Sequence, residues 1–208
     1  LNRLPFLWEH IDYGFMRIVF GMFKKLVLAD WIGYFIAPLW ANPHQYAEFI
    51  RPLALIGYSF QIYFDFAGYS DIAIGSSRLF GFRIMENFNN PYLAPNISQF
   101  WRRWHISLSD WIRDYLFFPL SKISSKKAWQ MFFVPVIAMA LCGLWHGPAW
   151  HFALWGAWHG VGLSILQLWN LHKRKHKKLA KATKATWFSY AGIAMNFAYV
   201  TLGWWGFR

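Results

Sequence analysis

Long apolar stretches alternate with short charged interruptions along the chain. Two stretches, Trp150 to Asn170 and Trp187 to Phe207, contain no Asp, Glu, Lys or Arg. Each reaches the roughly 20 residues that a helix needs to cross a bilayer core, so both are predicted to span a membrane. Met131 to Leu144 is also apolar but shorter than a full span, which predicts a tilted helix or one that starts inside the protein. Upstream, Ile11 to Trp40 is broken by Arg17, Lys24, Lys25 and Asp30, and Pro52 to Phe80 carries Asp65, Asp71 and Arg78. Charges at membrane depth are costly and face protein or a cavity, so these two segments should pack within a helix bundle. Pro91 and Pro95 bracket a loop from Asn90 to Asn96.

Asn96 to Phe117 has a different pattern. At helical spacing, Trp101, Trp104, His105, Leu108, Ile112 and Tyr115 share one face, while Arg102, Arg103, Asp110, Arg113 and Asp114 fall on the other. Asn96 is a candidate N-cap with Gln99 three residues on. Such a helix is too charged to cross lipid and should lie along the interface with its apolar face, His105 included, turned inward.

The polar segments orient the spans. Leu171 to Thr186 holds Lys173, Arg174, Lys175, Lys177, Lys178, Lys181 and Lys184 and no acid. Short basic loops remain cytoplasmic, so the span before this loop runs inward and the one after it runs outward. Met131 to Leu144 then runs outward, in agreement with Lys122, Lys126 and Lys127 before it, and His146 falls toward the outer half of the membrane.

Composition supports this reading and narrows it. Charged residues make up 14% of the chain, against about 25% in soluble domains. The net charge of +12 is concentrated in the basic loop, so it reports topology and implies no nucleic-acid partner. Mean hydropathy is only +0.22, so interfacial helices and polar loops must accompany the spans. A lone Cys142 excludes an internal disulfide. The start at Leu1, without Met or signal segment, suggests a piece of a larger membrane protein. The predicted architecture is an all-α, polytopic membrane domain over residues 1–208 with interfacial amphipathic helices.

Imidazole is the side chain best suited to proton transfer near neutral pH, and two histidines sit in tryptophan-rich apolar sequence: His105 and His146. Each also has an ordinary reading, as a core histidine hydrogen-bonded to backbone. Gly143, Gly147 and Pro148 leave room for another group to approach His146, and a buried imidazole without a charged partner stays neutral, as a general base must. His151 and His159, eight residues apart, could share a helix face as packing residues or as haem ligands with His146 or His105. Cys142, one turn before His146, is an apolar filler or an acyl-enzyme nucleophile. Asp65 and Asp71 fit ion pairing with Arg78, Arg83 or Arg102, or an ion site of a transporter.

Four ordered strings carry a resemblance. Tyr63-Phe64-Asp65-Phe66-Ala67-Gly68-Tyr69-Ser70-Asp71, Glu86-Asn87-Phe88-Asn89-Asn90-Pro91-Tyr92, Phe100-Trp101-Arg102-Arg103-Trp104-His105-Ile106-Ser107-Leu108-Ser109 and Leu144-Trp145-His146-Gly147 resemble signatures of the membrane-bound O-acyltransferases. The likeness is greatest to the alginate O-acetylase branch, with the teichoic acid D-alanyl transferase branch a near relative. The resemblance implies tilted helices around a central tunnel in the bacterial cytoplasmic membrane. A thioester such as acetyl-CoA or an acyl carrier protein would donate from the cytoplasmic side. The acceptor would be a hydroxyl of an exported polysaccharide or of an extracytoplasmic relay protein. It implies a catalytic role for His146 and a tunnel-lining role for His105 on the cytoplasmic side, with no metal and no resident cofactor. Trp101, Trp104 and Trp145 are then candidate tunnel residues, Asp65 and Asp71 supports, and the chain a central fragment.

Overall fold

The computed structural model describes residues 7–208. The reading of Leu1 as the start of a fragment lies outside them. The architecture is all-α: among the described residues no strand forms, and an isolated bridge joins Phe88 to Trp104. The chain divides into two compact units at the Asn87–Phe88 peptide.

The first unit holds α1 (Trp8–Met22), a π-helical run (Phe23–Ala29), α2 (Asp30–Ala41) and α3 (Arg51–Leu79). Glycines two turns apart let α1 and α3 touch backbone to backbone. A Cβ on Gly68 would lie 2.6 Å from the Gly21 carbonyl oxygen, and one on Gly75 would lie 2.5 Å from that of Gly14. Small residues permit this approach where helices pack without a hydrophobic driving force between them. Arg17 Nε donates to Asp71 Oδ1 at 2.6 Å, Arg17 Nη2 to Glu86 at 2.5 Å, and Lys24 Nζ to Asp71 Oδ2 at 2.6 Å. Lys25 pairs with Asp65. Neighbours on an α-helix diverge by about 100°; the π-helical run turns less per residue, and both lysines reach α3. The expected partners are therefore replaced: Asp65 and Asp71 pair with cations some 40 to 54 positions away. Arg78 lies over the Tyr13 ring, 5.0 Å from its centroid.

The second unit follows the Asn90–Asn96 loop with α4 (Ile97–Trp101), α5 (Ile106–Ile112), a π-helical run (Arg113–Phe117) and α6 (Phe118–Lys122). The Asn96 side chain caps α4 as expected, accepting from the Gln99 N–H at 3.0 Å. The single helix predicted for Asn96–Phe117 is instead broken at Arg102–His105. Tertiary pairing draws the backbone out of the helix: Asn89 N–H donates to the Arg103 carbonyl at 3.0 Å, and the Phe88 ring meets Trp104 edge-on at 5.1 Å. His105 absorbs the turn with φ 44° and ψ 58°. Trp101, Trp104 and Ile112 are buried as the helical face predicts, but the π-helical run turns Tyr115 outward, leaving it 65% exposed. Arg113 pairs with Asp110 and Asp114, at 2.6 and 2.8 Å, as expected of an exposed face.

A π-helical run (Trp129–Phe133) then leads into α7 (Val134–His146), followed by α8 (Trp150–Lys175), α9 (Lys177–Ala182) and α10 (Thr186–Gly203). The π-helical run lengthens the predicted short helix. Among the described residues, Trp129–His146 is the helix long and apolar enough to cross a membrane by length and composition. The two uncharged stretches do form α8 and α10, but their Gly, His, Trp and Tyr residues hold hydropathy down. The basic segment is also more ordered than a loop, helical through Lys175 and again over α9. α7 and α8 form a tight antiparallel hairpin. A Cβ on Gly156 would meet the Met139 carbonyl, one on Gly143 the Phe152 carbonyl, and one on Gly160 would lie 2.5 Å from the Val136 Cα.

Candidate active site

His146 is the last residue of α7, where the chain turns through Gly147 and Pro148 into α8. The glycine-sealed hairpin sets its ring against Trp155, one turn into α8, with centroids 5.4 Å apart at 87°. Phe207, beyond α10, meets it from another side at 5.1 Å and 80°. A third ring, Trp145, lies 4.9 Å away at 71° and is 65% exposed. The imidazole thus stands in an aromatic cage that fixes its orientation and keeps an open side at Trp145.

The same indole borders His105, whose ring centroid lies 6.4 Å from that of Trp145. Both histidines therefore lie within about 11 Å of one another through a single shared ring. The expected placement at opposite ends of the membrane core is corrected: that core is about 30 Å thick. The cause is the break before α5, which lifts His105 off a flat interfacial helix. Its left-handed backbone costs a non-glycine residue about 1–2 kcal/mol, a strain characteristic of functional positions. The Ser109 N–H bonds back to the His105 carbonyl at 2.9 Å, and Ser109 Oγ to the Trp104 carbonyl at 3.1 Å. Burial pushes the His105 imidazole down to about 4, and a proton on neighbouring His146 would disfavour one on His105 further. At neutral pH His105 is thus an uncharged hydrogen-bonding group.

Trp101 and Trp104 lie behind this pair in a buried aromatic knot. Trp104 stacks on Phe100 at 5.5 Å and tilts against Trp204 at 5.2 Å. Trp101 meets Trp155 at 6.0 Å. Asp65 and Asp71 belong to the other unit, where both are engaged in ion pairs.

The chain matches the membrane-bound O-acyltransferase family model over residues 7–201. It belongs to that family. Within the family it is 45% identical to the "Probable alginate O-acetylase AlgI" of Azotobacter vinelandii over 155 residues, 73% of this chain and 30% of that protein. It is 35% identical to the peptidoglycan O-acetyltransferase of Helicobacter pylori over 205 residues, 97% of this chain and 37% of that one. The teichoic acid D-alanyltransferase of Bacillus subtilis is 33% identical over 197 residues, 91% of this chain and 49% of that protein. The chain thus spans between about a third and a half of the length of these relatives.

Two further features lie near the His105–His146 pair: His159, read from the sequence only as a packing residue or haem ligand, and a cleft that the sequence did not point to. His159 is 0% exposed, with Trp155 at 4.9 Å, Trp101 at 5.2 Å and Phe100 stacked at 6.3 Å. A signal was present: Trp158-His159-Gly160 repeats Trp145-His146-Gly147. His151, its expected face-mate, is exposed and tilts against Phe152. The second feature is a cleft of about 710 Å³ with polar walls that include Asn96, Gln99 and Arg102, and an apolar floor of Ala138, Met139 and Cys142. Trp101 also borders it. Cys142 is buried at this floor, one turn before His146, and packs with Ile112 and Ala138.

Proposed function

We propose that this chain is the acyl-transfer core of a bacterial membrane O-acyltransferase, with His146 as general base. The caged, oriented imidazole at the end of α7 is the observation that carries this reading. An alcohol is a weak nucleophile at neutral pH, and a positioned base contributes typically 100- to 10,000-fold. His146 takes the proton of an acceptor hydroxyl as that oxygen attacks a thioester carbonyl. His105, uncharged and across Trp145, positions the donor or polarises its carbonyl.

The acyl group is acetyl and the acceptor an exported polysaccharide, reached directly or through a hydroxyl on an extracytoplasmic relay protein. The higher identity to a named alginate O-acetylase than to a named D-alanyltransferase supports acetyl over D-alanyl. The donor, acetyl-CoA or an acyl carrier protein thioester, arrives from the cytoplasm. Its path follows the cleft along α7, with polar walls for the carrier arm and an apolar floor for the acyl end. The domain is multi-pass in the cytoplasmic membrane and contacts lipid, and the acid-free segment Leu171–Thr186 supports a cytoplasmic position for that end of α8.

The test is His146→Ala in the full-length protein, read as acetyl content of the exported polymer at matched expression. Loss of acetylation is expected; unchanged acetylation sinks the assignment.

A further inference from the structure

Five polar atoms lie buried without a hydrogen-bond partner in one knot of the second unit: both ring nitrogens of His159 and the indole nitrogens of Trp101, Trp155 and Trp204. The three indole centroids stand 5.2, 4.9 and 6.4 Å from that of His159. Buried polar groups in folded proteins are nearly always paired, and each specific exception calls for a reason. Packing alone supplies none here, because a phenylalanine would fill the site of His159 without the desolvation cost.

The composition of the knot points to what it binds. An indole nitrogen donates only, and an uncharged imidazole has one N–H and one bare nitrogen. The knot therefore carries four donors against one acceptor, and a guest that accepts hydrogen bonds would complete it. The backbone makes room for the imidazole: Gly203 of α10 has no side chain, and a Cβ there would lie 3.1 Å from His159 Nε2. Two routes join the knot to the proposed chemistry. Trp155 touches both His146 and His159. Trp101 touches His159 and also walls the cleft.

We infer that His159 and the indole N–H groups of Trp155, Trp101 and Trp204 form a donor pocket for the carbonyl oxygen of the acyl group in transfer. This rests on the reading of His146 as the base. As the acceptor oxygen bonds to the carbonyl carbon, its proton passes to His146 and the C=O electron pair moves onto the carbonyl oxygen. That oxygen takes N–H hydrogen bonds from the knot. When the pair returns, the carbon–sulfur bond breaks, and the thiolate leaves with the proton held by His146. Donors already oriented in a water-poor site stabilise such an oxyanion at no reorganisation cost, and losing one typically lowers kcat about 100-fold or more.

The experiment compares His159→Phe, His159→Gln, Trp155→Phe, Trp204→Phe and His146→Ala in the full-length membrane protein, measuring polymer acetyl content and the melting temperature of the purified protein. The inference expects His159→Phe to melt at or above the wild-type temperature while acetylation falls about 100-fold. His159→Gln, which retains a donor, should recover part of the activity. Trp155→Phe keeps the ring, removes one N–H and should lower acetylation without lowering the melting temperature. Wild-type acetylation by His159→Phe, as expected if the knot holds only a structural water, overturns the inference. If His159→Phe fails to fold, Trp204→Phe, which leaves the Trp155 ring against His146 in place, decides: full acetylation overturns the inference, and reduced acetylation at an unchanged melting temperature upholds it. Active His159 and Trp155 variants beside an inactive His146→Ala would refute this pocket alone; an active His146→Ala would refute the base assignment beneath it.

Discussion

His105 and His146 flank one indole. The Trp145 ring lies 6.4 Å from the first imidazole and 4.9 Å from the second, and joins two segments 41 positions apart in sequence. Trp145 is also largely exposed, so its contribution to stability is small while its place in the site is central. Trp145→Ala should change unfolding free energy by no more than about 1 kcal/mol. It should lower acyl transfer on the order of 100-fold, because displacing reacting groups by about 1 Å costs that much. Trp145→Phe should retain most of the activity. Transfer rate and melting temperature of the two full-length variants, measured together, check the expectation.

The α7–α8 hairpin offers a sharp contrast between two glycines. A Cβ on Gly156 runs into the Met139 carbonyl, whereas one on Gly206 finds its nearest neighbour at 3.8 Å. Gly156→Ala should therefore cost about 1–3 kcal/mol of stability through overpacking. It should also lose transfer, because the hairpin that aims His146 must open. Gly206→Ala should be close to neutral. Thermal unfolding of both variants distinguishes the packed glycine from the free one.

Asp71 and Asp65 should differ as sharply. Asp71 is only 4% exposed and serves both Arg17 and Lys24, so Asp71→Asn removes the carboxylate that Lys24 pairs with, leaves Arg17 to Glu86 and should cost about 2–3 kcal/mol. Asp65 is half exposed and holds Lys25 alone, so Asp65→Asn should cost no more than about 1 kcal/mol. Denaturant or thermal melts check the ranking. Retained acyl transfer by folded Asp65→Asn would also set this cluster apart from an ion-coupling site.

His105 gives the fold a pH dependence of definite sign. The unfolded chain takes up a proton at this imidazole near pH 6.5, whereas the folded one resists until about 4. Between those values the unfolded state binds more protons, so acidification through that window favours unfolding and the contribution levels off below it. His105→Gln should flatten the fall in melting temperature between pH 7 and pH 4. An unchanged slope in the variant would assign the acid sensitivity to other groups.

Helix type and approximate position follow from local pattern. The uncharged runs, the Asn96 cap and the burial of Trp101, Trp104 and Ile112 were all legible in the sequence, because each depends on residue spacing or on one turn of backbone. The ordered motif strings likewise marked the family and drew attention to His105 and His146. Tertiary structure decided the rest. Asp71 has its partners on α1 and on the π-helical run that follows it because facing glycines bring α1 against α3, a contact that no local pattern encodes. The helix breaks at His105 because Arg103 and Trp104 are engaged by Asn89 and Phe88, so local amphipathicity yields to long-range pairing. That break sets His105 and His146 on one indole instead of at opposite ends of a membrane core. His159 became distinct from His151 only when α4, α8 and α10 closed around it, since burial is a property of what packs against a helix face and not of the face itself.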